Sequence, residues 1–244
     1  MQTTKTIRLD KALCDIGYGT RSEVKKMITH GRVKIDGVVV KSADLKIDMS
    51  SRTLQIDGAE VFYNMYEYRM LNKPAGVISA TEDPRQKTVL DLVRGLGVRK
   101  DLAPVGRLDI DTEGLLLLTN DGALTHRLLS PKKHVPKTYF TRLDAAVTDD
   151  VIRELEAGVD IDDADGNFTA LPAKIERTAS EDEVYITIYE GKYHQVKRMF
   201  AKFGLTVVYL KRISMGSLSL DETLKPGESR FLTKEEIDRL KAEV

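Results

Sequence analysis

Apolar and polar positions along this chain follow two different periods, and the places where one gives way to the other mark its elements. From Ile7 the apolar positions Leu9, Ala12, Leu13 and Ile16 recur at helical spacing until Gly17 and Gly19 end the run. Thr20-Arg21-Ser22-Glu23 is a capping box that opens a second helix, with Val24, Met27 and Ile28 as its buried stripe and Gly31 in the C-terminal cap position. Arg32 to Ile35 and Val38 to Lys41 flank Asp36-Gly37, a two-residue hairpin signal. The pattern predicts a helix-helix-hairpin unit over residues 5 to 50, with Leu45 to Val61 as further short strands leading away from it.

Near Asn64 the pattern changes to a larger, strand-rich stretch. Tyr66 to Leu71 reads as strand, Asn72-Lys73-Pro74-Ala75-Gly76 as a rigid turn before Val77-Ile78, and Thr88 to Val93 as a short capped helix. Four consecutive leucines, Leu115 to Leu118, bounded by Gly114 and by Thr119-Asn120-Asp121-Gly122, predict a short core strand. Helix follows over Ala123 to Leu129, strand over Lys137 to Leu143, and helix over Thr148 to Glu156, stopped by Gly158. Val184, Ile186 and Ile188 alternate as in a half-buried strand. Tyr193 to Phe203 reads as a helix that turns Val196, Met199, Phe200 and Phe203 inward and ends at Gly204. Strands at Leu205 to Leu210 and Leu218 to Leu220 and a terminal helix capped by Thr233 complete the chain. It has no repeating strand-helix-strand unit, no glycine-rich phosphate fingerprint and no long repeat. The expected class is α+β: a small N-terminal helix-helix-hairpin module, residues 1–60, and a larger domain, residues 61–244, on a mixed, mainly antiparallel sheet flanked by helices.

With 244 residues, 41% of them hydrophobic, the chain can build a proper core. No apolar run is long enough to cross a membrane and the N-terminus lacks the apolar core of a signal peptide, so the expected compartment is the cytoplasm. Cys14, a single cysteine within the apolar series, reads as a small buried hydrophobe. The formal net charge of zero conceals a segregation. Residues 1 to 34 carry eight bases (Lys5, Arg8, Lys11, Arg21, Lys25, Lys26, Arg32, Lys34) against Asp10, Asp15 and Glu23. Residues 126 to 142 hold five bases and no acid, whereas 144 to 165 hold nine acids against Arg153. Two basic patches and one acidic flank suit a polyanionic partner.

The loop Gly106 to Gly114 carries acidic and basic side chains next to a strand that must be buried, the rigid mounting that a reacting group requires. Asp109 is the candidate, with a turn or capping role as its alternative at this point. Asp109, Asp111 and Glu113 imitate a calcium loop, but the twelfth position, where a bidentate Glu belongs, is Asn120. His30, His126, His134 and His194 stand apart without cysteine partners, which disfavours zinc, and no G-x-S-x-G element supports a serine triad. No metal and no cofactor are expected.

Arg8-Leu9-Asp10-Lys11, Thr20-Arg21-Ser22 and Gly31-Arg32-Val33-Lys34-Ile35-Asp36-Gly37 resemble the alpha-L RNA-binding motif, with Asp36 where Asn is usual. That resemblance implies phosphate contacts from Arg8, Lys11, Arg21, Lys25 and Lys26 that position RNA without specifying sequence. The run from Pro104 to Gly122 resembles the signature of the RsuA-type pseudouridine synthases. Leu71 to Gly76, Lys137-Thr138-Tyr139, Glu190 to Met199 and the Gly204-Leu205 region look like further elements of that family in family order. The resemblance implies an isomerase that breaks the bond between uracil and ribose and rejoins the base through carbon, without metal or redox cofactor. By the same resemblance Asp109 is nucleophile or base, Lys197 the cation that keeps it ionised, Tyr139 the ring that stacks on the target base, and Arg107 the side chain that fills the gap left by the everted uridine. Arg198, directed about 100° from Lys197 on a helix, is assigned to RNA binding. The implied substrate is a uridine in ribosomal RNA or a ribosomal assembly particle, small-subunit (16S) RNA first and large-subunit (23S) RNA as the alternative, acted on by a monomer. A catalytically silent ribosome-assembly factor and a metal-dependent nuclease are the readings from other classes.

Overall fold

The computed structural model of the chain describes residues 6–49, 52–95 and 98–244. Lys5 of the basic N-terminal segment, and residues 50 and 51 at the end of the expected small module, lie outside them. Two compact units are present: Met1–Glu67 with Val93–Leu102, and Tyr68–Leu92 with Ala103–Val244.

The first unit contains β1 (Ile7–Arg8), α1 (Leu9–Asp15), α2 (Arg21–Thr29), β2 (Val33–Ile35), β3 (Val38–Val39), β4 (Lys46–Ile47), β5 (Leu54–Ile56) and β6 (Ala59–Val61). Thr20 and Glu23 form the reciprocal capping box that starts α2. Asp36 and Gly37 both adopt positive φ, 49° and 80°, which matches the right-handed twist of the strands they join. Leu9, Leu13 and Ile16 of the first helix and Val24 and Ile28 of the second pack on Val33, Leu54 and Ile56 of a sheet ordered β3-β2-β5-β6. The later segment Val93–Leu102 packs with this unit. Arg99 is its anchor: the backbone N–H donates to Glu67, and the guanidinium reaches the Asn64 carbonyl, Asp101 and Asp15. A polar anchor leaves no trace in hydrophobic periodicity.

The second unit contains β7 (Tyr68–Lys73), β8 (Ala103–Pro104), β9 (Glu113–Thr119), α3 (Gly122–Leu129), β10 (Lys137–Leu143), α4 (Asp149–Ala157), β11 (Val159–Asp163), β12 (Gly166–Ala170), β13 (Lys174–Arg177), β14 (Glu183–Ile188), α5 (Gln195–Ala201), β15 (Val207–Met215), β16 (Leu218–Ser219), β17 (Ser229–Phe231) and α6 (Lys234–Ala242). Its nine-stranded sheet runs β13-β14-β10-β15-β9-β7-β17, with β16 on β15 and β8 on β9. Among the described strands of this sheet the pairing is antiparallel except between β15 and β9. The leucine run is explained by burial on both faces. Leu115 and Leu117 join Tyr68, Met70, Leu124 and Leu128 in one core, while Leu116 and Leu118 are equally buried on the other side.

Several expected boundaries move. Asn72 and Lys73 belong to β7 rather than to the turn, and Thr88 to Val93 reduces to a single 3₁₀ turn, Leu90–Leu92, capped by Thr88 and Asp91. The helix expected from Tyr193 starts at Gln195, because His194 is left-handed (φ 49°) and breaks the turn. The strand expected at Leu205 to Leu210 runs instead from Val207 to Met215, since Lys137 to Leu143 pair along that whole length. The acidic segment holds the unforeseen hairpin β11–β12. Arg198 clamps it through a bidentate bond to Asp163 and a contact with the Gly166 carbonyl, with its guanidinium over Phe168. Among the described residues no helix is long and apolar enough to cross a membrane.

Candidate active site

Strands β7 and β9 converge on the loop that carries Asp109. Lys73, at the end of β7, is fully buried, and its ammonium donates to the carbonyls of Asp109 (3.0 Å), Thr112 (2.8 Å) and Pro74 (3.1 Å). Gly76 N–H donates to the Ile110 carbonyl at 2.7 Å, and Ser79 and Leu108 exchange two bonds through the serine hydroxyl. The Asn72 to Gly76 element is therefore a strap that fixes the main chain of the loop. Burial pushes the Lys73 ammonium down to about 8, against the pull of Asp109, Asp111 and Glu113. The sign of its effect on stability follows. The unfolded chain holds this proton up to about 10.5 and the folded one releases it near 8, so wild-type stability rises with pH across that window. Urea unfolding of wild type and Lys73→Met at pH 7.5 and 10 is expected to move the difference between them by about 2.4 kcal/mol in favour of wild type. A difference independent of pH would show that the ammonium is not held dry.

The three acidic side chains of the loop have separate partners. Glu113 accepts from the Tyr209 hydroxyl at 2.8 Å, and burial, reinforced by that bond, pushes this phenol up to about 12. Asp111 takes the Lys197 ammonium at 2.6 and 2.8 Å; burial is the largest influence and opposes its ionisation, but the Lys197 bond and charge, with its own backbone N–H and His194, together outweigh burial and leave it below the usual carboxylate range. Asp109 is half-buried, with Lys197 Nζ at 3.7 Å from one oxygen and His194 Nε2 at 3.6 Å from the other. Lys197 thus stands nearest Asp111 and bridges towards Asp109. Among the described residues no group of three His, Cys, Asp or Glu side chains is placed to hold a metal ion.

Asp109 opens onto a pocket whose other walls include Tyr139, Lys197 and His194. Tyr139 enters it from β10, almost wholly buried, and Arg107 lies exposed at its edge. Lys137 and Arg212 line it as well. Arg198 is not brought here; it is occupied by Asp163 and faces the hairpin. In the first unit Arg8, Lys11, Arg21, Lys25 and Lys26 are all exposed, with Arg8 paired to Asp10 and Lys11 to Asp15. The second expected basic patch is smaller than its count suggests, because Lys137 is buried in the pocket and Arg127 half-buried, which leaves Lys132, Lys133 and Arg142 at the surface. Reading the sequence left Lys73, Ser79, His194 and Arg212 without roles. Their signals were local ones, a lysine against proline and a histidine before a helix, and their partners are brought up only by the fold.

A model of the family described as RNA pseudouridylate synthase matches residues 67–202, and one described as S4 domain matches residues 7–52. The chain is 50% identical, over 96% of its length and 98% of the relative, to a Bacillus subtilis (strain 168) protein called uncharacterized RNA pseudouridine synthase YtzG. It is 43% identical, over 95% of its length and 98% of the relative, to ribosomal small subunit pseudouridine synthase A of Vibrio cholerae serotype O1. A solved structure described as that of a pseudouridylate synthase aligns with 96% of this chain and 99% of its own at 37% identity and a TM-score of 0.67.

Proposed function

We propose, from the premise that this chain belongs to the RNA pseudouridylate synthase family, that it isomerises one specific uridine of small-subunit ribosomal RNA with Asp109 as the reacting carboxylate. The observation that carries the role of Asp109 is its mounting. The main chain of the loop is strapped by Lys73 and Ser79, while the side chain is left facing a pocket with Tyr139 on one wall and a cation 3.7 Å away. A carboxylate on so fixed a backbone can attack the base or sugar, or remove a sugar proton, without first being ordered. Tyr139 stacks on the uracil, Lys197 is the cation that holds the carboxylate in place, and Arg107 occupies the space the uridine leaves in its helix. The reaction changes no composition and asks for neither a metal nor a redox cofactor. Small-subunit RNA is supported by the name and the near full-length match of the Vibrio cholerae relative. Asp109, Tyr139 and Lys197 come from one chain, so a monomer suffices, acting in the cytoplasm where ribosomal RNA is made and assembled.

Release of tritium from carbon 5 of uridine tests this directly. Small-subunit RNA, free or in assembling particles, is expected to lose label in proportion to enzyme turnover, and large-subunit RNA is not. Release from the large-subunit RNA alone would reassign the substrate, and none from either would leave an RNA-binding factor.

RNA docking is assigned to the first unit, through phosphate contacts by Arg8, Lys11, Arg21, Lys25 and Lys26. Lys25→Ala is expected to weaken binding to all RNA sequences alike and to lower the salt slope of log K by about 1. Arg198→Ala, measured in the same filter-binding series, is expected to leave that slope alone and to loosen the β11–β12 hairpin instead.

A further inference from the structure

Two buried cations share the floor of the Asp109 pocket. Lys137 and Tyr139 lie on one face of β10, and the cross-strand partner of Tyr139 on β15 is Arg212, so the three side chains converge. Lys137 is 8% exposed and Arg212 2%. Arg212 commits its Nε to the Leu115 carbonyl at 2.8 Å, and its Nη2 is buried with no hydrogen-bond partner among the described residues. Lys137 donates to the Val135 carbonyl at 2.9 Å, which uses one of its three N–H bonds. Glu190 is the carboxylate that acts on Lys137, and it is already engaged by the Leu171 N–H and Gln195 Nε2. Asp109, Arg107, Lys192, His194 and Lys197 are the other charged or titratable groups on the pocket walls. Two adjacent buried cations with so little counter-charge, one with an orphaned donor, are costly in the empty protein. Their cost is offset when something negative enters.

We propose that Lys137 and Arg212 receive the carbonyl oxygens of the target uracil and hold the negative charge that the base acquires during isomerisation. The inference rests on the isomerase reading above. When the bond between N1 and C1′ breaks, its electron pair leaves with the base and spreads over N1, O2 and O4, whether Asp109 bonds to C1′ or takes the proton from C2′. If Asp109 adds to C6 instead, the displaced pair again reaches O4. The pair is returned when C5 bonds to C1′, with the Asp109–C1′ bond breaking or the abstracted proton going back to C2′, and in the addition route with the Asp109–C6 bond breaking afterwards; the C5 proton then passes to solvent, N1 takes one up, and Asp109 is a free carboxylate again. Lys137 and Arg212 gain and lose no proton in this sequence. They act as preorganised, buried donors where the charge develops.

Burial, with Arg212 adding to it and Glu190 opposing, pushes the Lys137 ammonium down to about 8. Because the proposed role requires the proton, kcat/KM for tritium release from small-subunit RNA is expected to fall as pH rises through about 8. Lys137→Met is expected to lower kcat by about 100-fold, to keep RNA affinity and its salt slope, and to lack the alkaline fall. Lys137→Arg, charged throughout, is expected to recover part of kcat, also without that fall. A substrate phosphate as the anion predicts the opposite split, with kcat intact and the salt slope lowered, and would overturn the proposal. So would an alkaline fall of undiminished size in Lys137→Met, with Lys73→Met measured alongside because the Lys73 ammonium also sits near 8. If that variant fails to fold, the wild-type profile decides, and a flat kcat/KM between pH 7 and 9 defeats the assignment. An inactive wild type removes the isomerase reading and this inference together, whereas an active wild type with kcat intact in Lys137→Met removes this inference alone.

Discussion

Asp109→Asn is expected to abolish tritium release, by at least about a thousandfold, while the protein remains folded and binds RNA as before. The amide has the shape of the carboxylate and neither its nucleophilicity nor its basicity, so each of the three routes open to Asp109 is closed by the same substitution. Folding is spared because the loop is held through the Asp109 carbonyl, which Lys73 and the Thr112 N–H contact, and not through its side chain. Lys197→Met is expected to cost less, about 10- to 100-fold, since its shortest bonds go to Asp111 and His194 remains beside Asp109. Single-turnover release with a filter-binding control measures both. Activity retained in Asp109→Asn would sink the role given to this residue and leave the family assignment standing.

Gly114→Ala is the second large effect, and it acts on the fold. Gly114 has φ +99°, and a Cβ there would lie 2.2 Å from the Arg212 carbonyl oxygen and 2.9 Å from its nitrogen. Both are main-chain atoms of the adjacent strand, so no side chain can swing away. Relief requires opening the β9–β15 pair, and the expected loss is about 4 kcal/mol or more, enough to unfold many domains at 37 °C. Gly122→Ala is the control, with nothing within 4 Å of the added carbon and an ordinary φ; it is expected to change stability by under about 1 kcal/mol. Thermal unfolding of the three proteins separates steric exclusion at position 114 from a general intolerance of the sheet.

The contrast between these two glycines shows what could be read from the chain beforehand. Elements with a local cause were legible: the Thr20 and Thr233 capping boxes, the Asp36-Gly37 turn, the Thr148 and Gly158 helix limits and the leucine strand each depend on neighbours a few residues away. What escaped depends on distant partners. The 93–102 segment is anchored by Arg99, β11–β12 by Arg198, and the Asp109 loop by Lys73; each is a polar group buried against main-chain or carboxylate oxygens that periodicity does not register. The pocket floor was hidden for the same reason. Lys137 counted towards a surface patch, and Arg212 fell beyond the expected end of its strand, so two cations with one destination were assigned to different places.

The parallel β9–β15 pair also sets when the pocket can exist. Arg212 binds the Leu115 carbonyl across a sequence separation of 97, so the strand that brings Arg212 to the Asp109 loop closes one of the longest loops in the unit. Hairpins such as β11–β12 close over a few residues and form early, whereas this contact must wait for the chain between to be ordered. Refolding followed by circular dichroism and by tritium release is therefore expected to show secondary structure returning before activity.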